Sequence, residues 1–154
     1  MLKGFFTEIA KSEAEYNKML KGVAGLPEAT TAFFDQAVPF ISLGRRVSVQ
    51  PFHQEFNPYS VREMRIIIHE NTRPDVRIHV IESHLGDVYP RYDAGVTPVD
   101  KSTADKPLFG TLPDGEDFRR WVEFQRKFYG LVQFEPDGFI PDFTPKIQRL
   151  LAIS

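Results

Sequence analysis

The chain has 154 residues, 42% of them hydrophobic and 26% charged, which suits one domain large enough to bury a core. Lys and Arg total 19 against 21 for Asp and Glu, a net charge of -2, so the basic excess of a duplex-DNA binder is missing and nucleic acid is disfavoured as a partner. There is no cysteine, which excludes disulfides, thiolate zinc sites, iron–sulfur clusters and cysteine nucleophiles.

The segment Met1-Leu2-Lys3-Gly4-Phe5-Phe6-Thr7-Glu8 carries charge too early for a secretory signal. No stretch approaches the roughly 18 apolar residues of a membrane span. The expectation is a soluble protein without membrane contact, cytoplasmic or incorporated in an assembled particle.

Leu2, Phe5, Phe6, Ile9, Tyr16, Met19, Leu20 and Val23 recur at three- and four-residue steps and predict one helix over 2–24, stopped by Gly25 and Pro27. A second helix is expected from Pro27 to about Leu43, burying Phe33, Phe34, Ala37, Val38 and Ile41, with Pro39 kinking or shortening it and Gly44 as a cap.

The period then changes to two. Residues 45–50 alternate as a half-buried strand does. Two further runs, 61–70 and 76–83, flank the turn signal Asn71-Thr72-Arg73-Pro74-Asp75 and should form an antiparallel hairpin. Ser60-x-x-Glu63 is a capping box that competes for a helix start, but the β-branched triple Ile66-Ile67-Ile68 favours a strand.

Residues 84–114 hold Pro90, Pro98, Pro107 and Pro113 and show no convincing periodicity, so they read as a long loop or arm. A third helix follows Asp114, Glu116 and Asp117 and ends at Arg126, Lys127 and Gly130, with Trp121 on its apolar face. A short strand over 131–134 and a last helix from Thr144-Pro145, docked by Ile147, Leu150 and Leu151, complete the reading. The fold class is α+β: two N-terminal helices, a small antiparallel sheet of three to four strands, a Pro-rich excursion and C-terminal helices, all in a single domain over 1–154.

If Glu70 pairs with Val76 across the hairpin, His69 and His79 share a face with Arg65 and Arg77, near enough to meet diagonally, while Met64, Ile66, Ile68, Val76, Ile78 and Val80 face the core. The polar face then reads first as a solvated sheet surface. Its catalytic alternative, a small hydrolase or nuclease under a loop lid, combines His69 and His79 with Glu55. No dinucleotide, phosphate-loop, zinc-protease or nucleophile-elbow motif occurs, and no cofactor or metal is expected.

Phenylalanine is unusually frequent, at 14 residues, and several sit in Pro-rich contexts. With no catalytic constellation and a long aromatic-bearing arm, the expectation is a non-enzymatic structural or adaptor subunit of a larger assembly, such as a virion or a secretion machine, bound to other protein subunits through the arm at 84–114 and the final segment from Phe134 to Ile153. Tyr89, Arg91, Tyr92, Phe109 and Phe139 are its candidate anchors. An immunity or inhibitor protein is a further alternative. The helix-face assignment has a direct check: Trp121→Ala should lower the unfolding free energy by roughly 3–5 kcal/mol in denaturant titration, and a loss below about 1 kcal/mol would place Trp121 outside the core.

Overall fold

The computed structural model describes residues 2–41, 45–56, 59–70, 73–85, 90–99, 120, 123, 126–127 and 130–151. It is an α+β fold in which helices lie at both ends of the chain around one five-stranded antiparallel sheet.

Where one N-terminal helix was expected there are two, α1 (Leu2–Ile9) and α2 (Glu13–Val23). The break comes from Ser12: its backbone is extended, and its side chain accepts a hydrogen bond from the Glu15 N–H at 3.1 Å. An N-cap of this kind starts a new helix wherever it satisfies an orphan N–H, and apolar periodicity alone does not reveal it. Helix α3 (Glu28–Ile41) follows Pro27, carries Pro39 close to its end, and buries Phe33, Phe34, Ala37 and Ile41. The expected cap Gly44 lies outside the described residues.

The strands β1 (Val47–Phe56), β2 (Tyr59–Ile68), β3 (Asp75–Leu85), β4 (Arg91–Val99) and β5 (Val132–Phe134) lie side by side in chain order. Ser60 and Glu63 thus belong to a strand, as the β-branched triple implied. Strand β4 corrects the reading of 84–114 as an irregular arm. Arg91–Val99 alternates Tyr92, Ala94 and Val96 on one face with Arg91, Asp93, Gly95 and Thr97 on the other, a period of two that Gly95 and Pro98 disguise. The rest of that segment, at 86–89 and beyond 99, lies outside the described residues, as does Trp121.

The β2–β3 register also differs from expectation. Ile68 pairs with Val76 and Arg65 with His79, a shift of two residues from the pairing of Glu70 with Val76. An even shift leaves every side chain on its face. Met64, Ile66, Ile68, Val76, Ile78 and Val80 therefore form the expected apolar face, joined by Ala94 and Val96. Helices α1 to α3 and α4 (Thr144–Leu150) cover it with Phe6, Phe33, Phe34 and Ile147, and Phe143 packs edge-on to Phe33 at 5.3 Å. The Gln36 side chain ties the C-terminal segment to α3, donating to the Pro141 carbonyl at 2.8 Å and accepting from the Phe143 N–H at 3.2 Å. No helix of the described residues is long and apolar enough to cross a membrane.

At Gly22 the backbone of α2 approaches β1 so closely that a Cβ would lie 2.8 Å from Pro51 Cβ and 3.0 Å from Met64 Sδ. At Gly4, on α1, a Cβ would meet nothing within 4 Å. Gly4→Ala should therefore stabilise by up to about 1 kcal/mol through helix propensity. Gly22→Ala should destabilise by roughly 1–2 kcal/mol, because overpacking against a proline ring outweighs the same gain. Urea midpoints of the two variants that move in the same direction would contradict this packing.

Candidate functional site

The second face of the sheet is buried, which overturns its reading as a solvated surface. Glu63, Arg65, Asp75, Arg77, His79, Asp93 and Thr97 are each no more than 4% exposed, and Ile67 and Ile81 are fully buried beside them. Charges so far from water must be paired. Arg65 Nη2 donates to Glu63 Oε1 at 2.9 Å, and His79 Nδ1 lies 3.0 Å from Glu63 Oε2. The Arg65 guanidinium also sits 4.4 Å above the centre of the Phe52 ring.

Above β4 the pairing continues into residues 120–127, where Arg120, Glu123, Arg126 and Lys127 have helical backbone as expected. Arg91 donates to Glu123 at 2.6 Å, Glu123 accepts from Arg126 at 3.2 Å, and Arg126 Nε lies 2.8 Å from Asp93 Oδ1. The helical turn ends at Gly130, whose φ of 64° lets its N–H reach the Lys127 carbonyl while the Leu131 N–H reaches that of Arg126. This cap sets Leu131 onto β4, where a Cβ on Gly95 would lie 2.6 Å from Leu131 Cδ2 and 3.3 Å from His79 Nε2. Gly95 is thus the position where β4 clears room for the layer above.

Burial holds His79 below the usual histidine range despite the Glu63 carboxylate, so the ring is neutral, with its Nδ1–H donated to Glu63. Burial likewise raises the Asp93 carboxyl above its ordinary value although Arg126 opposes it. These groups form a sealed, charge-matched interior, with His79 fully buried.

His69 and His79 do share this face, but they do not converge. His79 is opposite Arg65, whereas His69 lies four residues beyond Arg65, just past the end of β2 and about 13 Å away at roughly 3.3 Å per residue. The expected register had made them diagonal neighbours, and the two-residue shift separates them. Glu55 lies on the opposite face, 77% exposed and 3.6 Å from His53. The combination of His69, His79 and Glu55 is therefore not assembled. Among the described residues, no group of three or more His, Asp or Glu side chains is placed to hold a metal ion.

His69 instead belongs to a chain of bonds not anticipated from the sequence. Ser48 Oγ is 2.6 Å from His69 Nε2, His69 Nδ1 is 3.1 Å from Asp75 Oδ2, and Asp75 Oδ1 accepts from the Glu70 N–H at 2.8 Å. Ser48 of β1, His69 just past the end of β2 and Asp75 at the start of β3 meet at the same end of the sheet. The signal that would have found them is parity: with the observed pairings, residues 48, 69 and 75 share a face.

Of the candidate anchors, Tyr89 and Phe109 lie outside the described residues. Arg91 is committed to Glu123, and Tyr92 is buried on the helix-covered face against Phe134, their ring centres 5.8 Å apart. Phe139 is fully exposed. Comparison with protein-family models, curated proteins and solved structures finds no match to this chain.

The buried histidine predicts a pH dependence. A histidine whose pKa is lower folded than unfolded binds protons preferentially in the unfolded chain, so stability falls as pH drops below the unfolded value of 6.5. The unfolding free energy should therefore decline between about pH 7.5 and about pH 5.5, and the decline should be smaller in His79→Gln. An equal decline in both proteins would show that His79 is not the group responsible.

Proposed function

We propose that the protein is a protein-binding subunit of a larger assembly, and that the segment 132–140 is its contact element. One observation carries this reading: the large apolar side chains exposed among the described residues, Val132 at 45%, Phe139 at 100% and Ile140 at 38%, all fall in that one segment. A Phe side chain left in water forgoes roughly 1.5–3 kcal/mol of burial, which a partner's pocket would recover.

The segment is also held in place before any partner arrives. β5 pairs with β4 on one side, Gln36 grips Pro141 and Phe143 on the other, and the Gly138 N–H closes a turn on the Glu135 carbonyl at 3.1 Å. Fixing a contact element in advance removes part of the ordering cost of binding. Exposed Glu135, Asp137 and Asp142 flank Phe139 in the chain, so the complementary surface is an apolar pocket rimmed by Lys or Arg. Membership of a virion or a secretion machine would be one setting for such a contact.

Phe139→Ser should leave stability within about 0.5 kcal/mol of wild type, since the side chain touches no core. A photo-crosslinker at position 140, in the cells that make the protein, should give a discrete protein adduct that disappears in the Phe139→Ser background. The same crosslinker at exposed Glu8 should give none. Adducts from both positions alike, or from neither, would refute the reading.

A further inference from the structure

We infer that Ser48, His69 and Asp75 form an acyl-transfer site in which Ser48 attacks carboxylic esters. This inference rests on a different part of the sheet from the contact segment and stands or falls independently of it.

The hydrogen bonds assign the roles. Asp75 is 2% exposed and accepts the Glu70 N–H through Oδ1, so its Oδ2 is the acceptor facing His69 Nδ1. Nδ1 therefore carries the ring proton, and Nε2 presents its lone pair to Ser48 Oγ at 2.6 Å. That is the order of nucleophile, base and orienting carboxylate required for nucleophilic catalysis. Reagents can reach it, since the His69 side chain is 19% exposed and Ser48 is partly exposed, whereas His79 is sealed.

The strand edge supplies the rest. The His69 N–H donates to the Arg46 carbonyl at 2.9 Å, which makes 46 and 69 a hydrogen-bonded pair of the ladder. By alternation Ser48 turns its own backbone groups toward β2, while Val47 and Val49, on either side of it, turn their N–H groups to the open edge. The Val49 N–H immediately follows the nucleophile, where an oxyanion needs a donor.

In the acylation step Ser48 Oγ bonds to the carbonyl carbon and gives its proton to His69 Nε2; the ester C–O bond breaks and the alcohol leaves with that proton. Water then attacks the acyl-serine, losing a proton to His69, and the carboxylic acid is released as Ser48 regains its hydrogen. Asp75 is a positioning residue that holds the ring in the required tautomer.

The test is covalent labelling of the full chain with a fluorophosphonate. Modification should map to Ser48 by peptide mass, vanish in Ser48→Ala, and slow by roughly 10²-fold in His69→Gln that retains its circular dichroism. Hydrolysis of p-nitrophenyl acetate should lose kcat in Asp75→Asn with KM unchanged. Ser48→Cys adds an independent measure, because its thiol would be the only one in a cysteine-free chain. Iodoacetamide should alkylate it about tenfold faster than free cysteine at neutral pH. No labelling, labelling only at other serines, or an alkylation rate equal to that of free cysteine would each overturn the inference and leave the three residues as a structural link between strands.

Discussion

The carboxylate of Glu63 is the contact on which the second face of the sheet depends. It is 2% exposed, and it neutralises Arg65 while holding His79. A guanidinium with no exposure at all is tolerable only beside such a partner, since an unpaired charge in that position would outweigh most of a domain's stability. Once Arg65 and His79 are fixed, the rest of the layer follows. His79 occupies the space beside Gly95, Gly95 admits Leu131, and the cap at Gly130 delivers the turn whose Glu123 and Arg126 meet Arg91 and Asp93. The described carboxylates Glu63, Asp75, Asp93 and Glu123 equal in number the guanidiniums Arg65, Arg77, Arg91 and Arg126, so these charges balance one another beside the uncharged Thr97, Ile67 and Ile81.

Such an interior adds little net stability compared with an apolar one, because desolvation offsets much of the attraction. What it supplies here is register. On the helix-covered face, Met64, Ile66 and Ile68 meet Val80, Ile78 and Val76, and a slip of two residues would exchange one aliphatic contact for another of similar size. On the charged face the same slip is not neutral. In one direction it sets Arg65 opposite Arg77; in the other it sets Arg65 opposite Ile81 and His69 opposite Arg77, away from Asp75. Only the observed pairing places Arg65 across from His79, with Glu63 beside both. The charged layer discriminates between alignments to which the greasy layer is almost indifferent.

The same asymmetry explains what the sequence revealed. Face assignment needs only parity, so the apolar set Met64 to Val80 was readable from the hairpin pattern. The register was not, because the hydrophobic pattern repeats every two residues and the turn at 71–75 is long enough to allow either alignment. The error hid the site: in the expected register Arg77, rather than Asp75, stood across from His69. Burial of the polar face was also unreadable, since Glu123, Arg126 and Leu131, which meet it above β4, lie far along the chain, and a strand carrying Arg, His and Glu resembles a solvated one. Strand β4 was missed because Gly95 and Pro98 resemble turn punctuation, although Gly95 is there to clear Leu131 and Pro98 lies beyond the stretch that β5 pairs. Of the candidate anchors, Phe139 is exposed, whereas Tyr92, a typical hot-spot residue type, packs against Phe134.

The open edge of β1 shows how sealing and access coexist in one sheet. Val47, Val49, Pro51, His53 and Glu55 are the positions whose backbone turns outward, and Pro51, which has no N–H, falls on one of them. A proline there interrupts the row of donors, which discourages another strand from adding to the edge over its length. The donors nearest Ser48, those of Val47 and Val49, precede the interruption. Reading outward along the charged face, exposure rises from none at His79 to 19% at His69, and the partner of the ring changes from a carboxylate alone to a carboxylate and a hydroxyl. The centre of the face can only hold the fold together, because neither substrate nor water reaches it. The rim has the same kind of pairing with one solvent-facing member, and it is there that a histidine oriented by a buried aspartate has a hydroxyl within reach.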